Sequence, residues 1–95
     1  LEEVGEPLYR LDRMLTHLRC SGTFRGVKAL ISGSLWDCDR VGPGPVAWPG
    51  LLAEAAPDAV VVIDLPFGHG PVNLAFPLGA SVEVDTRAGL IGWRA

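Results

Sequence analysis

The sequence has no excess of positive charge, no long apolar run and very little cysteine, and each absence removes a class of function. A formal net charge of −3 offers no basic surface for a nucleic-acid backbone. No apolar stretch approaches the ~18 residues of a membrane-spanning helix, and no secretory leader is visible. The chain opens at Leu1 rather than Met, so further sequence upstream is expected and the missing leader carries little weight. The two cysteines, Cys20 and Cys38, have no spacing that suggests a disulfide, and in a reducing compartment both stay free thiols. No paired C-x-x-C or H-x-x-x-H is present, so a metal site built from His17, Cys20, Cys38 and His69 lacks support. The G-x-S-x-G turn of a serine nucleophile is missing. Gly42 to Gly44 is rich in proline and lacks the lysine of a phosphate-binding loop. There is no repeat and no low-complexity segment.

What is there fits one small domain. The chain has 95 residues, 48% of them apolar, enough for a modest core and too apolar for a disordered segment. Leu1 to Val4 reads as the tail of a strand, broken by Gly5-Glu6-Pro7. Leu8, Leu11, Leu15 and Leu18 then recur at spacings of three and four, the signature of one helical face, and Met14 widens the stripe. Proline is favoured in a helix's first turn and glycine just past its end. A helix from Pro7 to Cys20, stopped by Gly22, follows. Val27 to Ser32 is the next expected strand. Gly33 to Gly50, with Gly42-Pro43-Gly44-Pro45, is expected as a long connection, and Trp48 to Ala56 as a short helix ended before Pro57. Ala59 to Ile63 is a continuous apolar run, expected as a strand buried on both faces. Asn73 to Phe76 is expected as a short strand. Ser81 to Asp85 and Leu90 to Trp93, joined by a turn, read as a β-hairpin. The order implies a layered α/β (α+β mixed) domain, parallel in its first half and antiparallel at its end.

The chemistry gathers around one stretch, "DLPFGHGPVN", Asp64 to Asn73. A strand of branched apolar residues feeds a loop that holds His69 between two glycines. Histidine ionises near neutral pH and can serve as a general base, and flanking glycines leave room for a substrate. A base of this kind needs a carboxylate to orient it and a nucleophile to serve. Asp64, Glu2, Glu3, Glu6 and Asp37 are all candidates for the carboxylate on spacing alone. No nucleophile is marked. Ser32 and Ser34 carry no sign of activation, and Cys38 stands between Asp37 and Asp39, whose negative charges disfavour a thiolate.

Three blocks resemble the serine LD-carboxypeptidases, whose superfamily includes the microcin-immunity peptidases. "EEVGEPLYRLDRMLTHL" (Glu2 to Leu18) resembles their "ED-x-x-E-x-x-Y-R-x-D-R-M-L-x-x-L" segment. "LWDCD" (Leu35 to Asp39) resembles a strand-end "F-x-D-C-E/D". "DLPFGHGPVNLAFPLG" (Asp64 to Gly79) is similar to their histidine motif, "P-x-G-H" followed by an asparagine and "P-L-G". The blocks stand in family order. The resemblance implies a two-domain peptidase of which this chain is the C-terminal lobe, a small swivelling β/β/α-type domain with a mixed sheet. It implies a Ser-Glu-His triad whose serine lies in the N-terminal domain. The histidine maps to His69 and the glutamate to Glu2. Glu3 stands second, because the family's Glu-Asp pair is Glu-Glu here. If the Glu2 strand and the strand before His69 are neighbours, both side chains can point into one cleft. Asp37 and Asn73 are expected to bind substrate or brace the histidine loop. Tyr9, Arg10, Asp12 and Arg13 are expected to lock the helix start through charge-assisted hydrogen bonds.

The implied reaction removes a terminal D-amino acid from a murein peptide in peptidoglycan recycling. No metal or organic cofactor is implied. The implied partners are the murein peptide and the serine-bearing domain of the same chain, with a homodimer also expected, and no nucleic acid or membrane. Two alternatives remain at this point: a related peptidase for a peptidyl-nucleotide antibiotic, and a non-catalytic binding or assembly domain that kept the fold.

Overall fold

A computed structural model of the chain describes residues 1–38 and 47–94. Its elements are β1 (Glu3–Val4), α1 (Leu8–Cys20), β2 (Ala29–Ile31), β3 (Leu35–Trp36), α2 (Trp48–Ala55), β4 (Val60–Val62), β5 (Ser81–Asp85) and β6 (Leu90–Arg94). The α/β class holds, with parallel pairing early and antiparallel pairing late. Among the described residues no helix is long and apolar enough to cross a membrane.

The leucine stripe sets α1. Pro7 stands at its N-cap in an extended conformation, and the helix ends where Gly22 takes a left-handed φ of 80°. Gly22 N–H returns to the Arg19 carbonyl at 3.1 Å and Thr23 N–H to the Leu18 carbonyl at 3.0 Å, a Schellman closure that satisfies two end carbonyls. Leu11 and Leu15 are the buried positions of the stripe. They pack with Trp48, Leu52, Ala55 and Ala56 of the α2 segment, and with Leu30, Leu35 and Cys38. The core therefore lies between the two helices and one face of the strands.

The strands are organised around residues 29–36. β2 pairs in parallel with β4, Leu30 opposite Val61, and β3 pairs in parallel with β1, Glu3 opposite Leu35. Between β2 and β3 the regular ladder breaks, yet backbone bonds continue on both sides. Ser32 N–H donates to the Val62 carbonyl at 2.8 Å, Gly33 N–H to the Leu1 carbonyl at 2.7 Å, and Ser34 N–H to the Phe67 carbonyl at 2.9 Å. Residues 29–36 thus form a central line with the β1 segment on one flank and the β4 segment on the other. Gly33 makes this possible. A Cβ there would lie 2.5 Å from both the Phe67 carbonyl oxygen and its ring, so no side chain fits between the central line and the start of the histidine loop.

Four expectations change. The Glu2 segment and the strand before His69 are not direct neighbours, because the central line separates them. β3 falls inside the stretch that composition gives as a connection and is too short to show a period; the strand-end motif at Leu35 to Asp39 is the signal that marks it. Asn73 to Phe76 is not a strand. Leu74 N–H donates to the Pro66 carbonyl at 2.7 Å, so this segment closes back on its own loop. β4 is not buried on both faces, since Val60 is 41% exposed and Ile63 just beyond it 38%. The helices cover one face only; the other looks into an apolar cleft of about 540 Å³ toward the hairpin, lined in part by Val62, Leu65, Phe76, Leu90 and Trp93. The Gly42–Pro45 loop lies outside the described residues.

The hairpin forms as its alternation suggests. Asp85 Oδ1 accepts the N–H groups of Arg87 and Ala88, each at 3.0 Å, and Gly89 supplies the left-handed turn position with φ 67°. Across the strands Arg94 Nη2 donates to Glu83 Oε2 at 2.8 Å on the exposed face.

Candidate active site

The central line brings together two side chains that stand 67 positions apart in the sequence. His69 Nδ1 lies 2.9 Å from Glu2 Oε2. A carboxylate only accepts hydrogen bonds, so Nδ1 carries the hydrogen and the neutral ring keeps its lone pair on Nε2. The side chains are 57% and 31% exposed. An ion pair this open adds little to stability; what the bond sets is the tautomer and the direction of the ring.

The loop geometry explains the glycine on the N-terminal side of His69. Gly68 has a left-handed φ of 112°, and a Cβ there would sit 2.7 Å from Ser34 Oγ and 2.8 Å from Glu2 Oε2. A side chain at 68 would occupy the space where the carboxylate meets the loop. Gly68 N–H donates to Asn73 Oδ1 at 3.0 Å, and Gly70 N–H to Ser34 Oγ at 3.2 Å. Asn73 therefore braces the loop. Phe67, packed on Gly33, meets Phe76 edge-on with ring centroids 4.9 Å apart, and Phe76 stacks on Trp93 at 5.7 Å. This aromatic chain joins the base of the loop to β6. The apolar cleft lies on that side of Phe67; neither Glu2 nor His69 lines it.

The other candidates are placed apart. Glu3 follows Glu2 in extended chain, where successive side chains leave by opposite faces; it is half-buried, and the carboxylate bonded to His69 is that of Glu2. Asp37 is exposed past the end of β3 with a left-handed φ of 57°, and Asp64 is exposed with φ 60°. Glu6 pairs with Arg10 one helical turn away, Oε2 to Nη1 at 3.3 Å, whereas Tyr9, Asp12 and Arg13 are exposed. Among the described residues, this pair is what the structure shows of the expected lock at the helix start. Ser32 is fully buried; its Oγ accepts the Trp48 indole N–H at 2.9 Å and donates to the Gly33 carbonyl at 3.0 Å. That hydroxyl serves the core. Cys38 is buried and Cys20 exposed. Among the described residues no three of His, Cys, Asp and Glu gather as a metal site, so His17, Cys20, Cys38 and His69 are not brought together.

Sequence reasoning missed the part played by Ser34 and by the contact of Phe67 on Gly33. The available signal was the Gly in Ile31-Ser32-Gly33-Ser34, since a glycine inside a strand pattern marks close backbone approach.

Comparison with known proteins matches the chain to one family. The family model described as "LD-carboxypeptidase C-terminal domain" matches residues 1–84. Among curated proteins, the chain is similar to two named "Putative carboxypeptidase": slr1534 of Synechocystis sp. (36% identical, over 98% of this chain and 32% of that protein) and SCO6489 of Streptomyces coelicolor (38% identical, over 96% and 29%). It is also similar to the murein tetrapeptide carboxypeptidase of Pseudomonas aeruginosa, 39% identical over 90% of this chain and 28% of that protein. The chain thus spans about a third of the length of these relatives. No solved structure matches it significantly. The chain belongs to the LD-carboxypeptidase C-terminal domain family.

Proposed function

We propose that this chain is the C-terminal lobe of a two-domain serine carboxypeptidase, in which Glu2 and His69 serve a serine carried by the other lobe. The observation that supports this most is the 2.9 Å bond between His69 Nδ1 and Glu2 Oε2, which leaves Nε2 as a base. In the first step Nε2 takes the proton of the serine hydroxyl as its oxygen attacks the carbonyl before a terminal D-amino acid. The imidazolium, held by the Glu2 carboxylate, then protonates the leaving amine. The C–N bond breaks, the D-amino acid departs and an acyl-serine remains. In the second step Nε2 takes a proton from water, the new hydroxyl displaces serine, and the proton returns to the serine oxygen. The serine proton leaves with the departing amine and a water proton replaces it, so serine and histidine return to their starting states, and no cofactor is needed.

The substrate is a murein peptide with a D-residue at its end. The name of the Pseudomonas relative supports this class. A cytoplasmic place in peptidoglycan recycling goes with that substrate. Because the nucleophile belongs to the other lobe, residues 1–95 alone are expected to be inactive.

The test uses the full-length protein and a panel of substrates: a murein tetrapeptide ending in D-Ala, its isomer ending in L-Ala, and a peptidyl-nucleotide. Release of D-Ala with no L-Ala release is expected. Cleavage of the peptidyl-nucleotide alone would move the substrate class, and no hydrolysis of any member would favour a non-catalytic domain.

A further inference from the structure

Ser34 ties both halves of the Glu2–His69 pair to the sheet. Its carbonyl accepts the Glu3 N–H at 3.3 Å, beside Glu2, and its own N–H donates to the Phe67 carbonyl at 2.9 Å, at the start of the histidine loop. Both are backbone bonds that any residue could make. The third bond needs the hydroxyl: Ser34 Oγ accepts the Gly70 N–H at 3.2 Å. On the other side of the histidine, the Gly68 N–H ends on Asn73 Oδ1. The N–H groups of the two residues flanking His69 are therefore each held by a side-chain oxygen, and together they fix the loop from which the His69 side chain leaves. The same Oγ and Glu2 Oε2 lie 2.7 and 2.8 Å from one point above Gly68, so the hydroxyl also backs the space in which the carboxylate meets the loop.

We propose that Ser34 is a positioning residue: its hydroxyl fixes the Gly70 amide so that His69 Nδ1 stays within hydrogen-bond reach of Glu2 while Nε2 keeps its reactive direction. This rests on the reading of Glu2 and His69 given above. Ser32, two residues earlier, shows the contrast. Its hydroxyl bonds only Trp48 and the adjacent Gly33 carbonyl in the core, whereas that of Ser34 reaches across to the loop. A group that acts by aiming another affects turnover more than binding, because small misplacements of reacting groups cost rate.

The experiment measures kcat and KM for the full-length protein on a murein tetrapeptide ending in D-Ala, with Ser34→Ala, Ser34→Thr, His69→Ala and the Ser34→Ala/His69→Ala pair. Ser34→Ala is expected to lower kcat about ten- to hundredfold with KM within about twofold. Ser34→Thr, which keeps the oxygen, is expected to restore most of the rate. In the His69→Ala background Ser34→Ala is expected to add almost no loss, since two residues acting as one unit are not additive. An unchanged kcat, a Thr variant as slow as the Ala variant, or the same fold-loss in both backgrounds would each overturn the proposal. If Ser34→Ala does not fold, Ser34→Thr against Ser34→Val gives the same comparison at similar size, and equal rates for the two would overturn it. Full turnover by His69→Ala would instead overturn the reading on which the proposal rests, whatever Ser34 does.

Discussion

The two flanks of this domain use their apolar residues in opposite ways. On the helical flank Leu11 and Leu52 are 1% and 0% exposed, closed between α1, α2 and one face of the strands. On the hairpin flank Val82 and Leu90 are 45% and 65% exposed, and Leu90 lines an open cleft. Both flanks are rich in apolar residues, so hydrophobicity alone does not separate core from surface. A helix can close over a strand face with a stripe of side chains, whereas a two-stranded hairpin leaves its outer positions in solvent. Glu2 and His69 meet where the two flanks join, on a line of backbone held from both sides. The helical flank gives that line its stability, and the loop beside the hairpin gives it His69.

Substitutions can break or sharpen this division. The largest expected effect is chemical. His69→Ala in the full-length protein should lower kcat/KM on a murein tetrapeptide at least about 10³-fold, while its thermal midpoint stays within a few degrees. A large fall in midpoint would show that the loop belongs to the core after all. Leu11→Ala, on the helical flank, should destabilise the fold by about 2–5 kcal/mol in a denaturant titration. Leu90→Ala, on the hairpin flank, is expected to cost less than ~0.5 kcal/mol, and equal costs would erase the contrast between the flanks. Asn73→Ala leaves the Gly68 N–H without its acceptor. About a tenfold loss of kcat is expected from the slackened loop, with the unfolding midpoint nearly unchanged. The smallest effect belongs to Arg94→Ala, which removes the exposed pair with Glu83 across the hairpin and should cost no more than ~0.5 kcal/mol.

The parts of the fold legible in the sequence are those whose side chains repeat with a period or whose turns need special residues. The Leu11–Leu15 stripe, the stop at Gly22, the short helix from Trp48 and the hairpin around Gly89 all carry such signals. β3 carries none: two residues, Leu35 and Trp36, show no period, and their place is set by the partner segment Glu3–Val4. The apolar run at Ala59–Ile63 correctly marks a strand, yet how many faces it buries depends on which elements cover it, and that is decided by chain far away. The candidate site divides the same way. The Gly-His-Gly loop is visible as a local oddity. Composition and spacing left five carboxylates open; it was the family motif that singled out Glu2, and the fold sets Glu2 against His69. Ser34 could not be separated from Ser32 by type or neighbourhood, because the difference between them is what each hydroxyl faces across the sheet.

The most direct measurement is the turnover of the Glu2→Gln variant of the full-length protein on a murein tetrapeptide ending in D-Ala. Gln keeps the shape but not the charge, so His69 loses the carboxylate that holds its Nδ1–H and stabilises the imidazolium. A loss of about 10³- to 10⁴-fold in kcat, with an unchanged unfolding midpoint, is expected. Turnover within about threefold of the unaltered protein would contradict a catalytic Glu2–His69 pair and leave the 2.9 Å bond a contact of the fold alone.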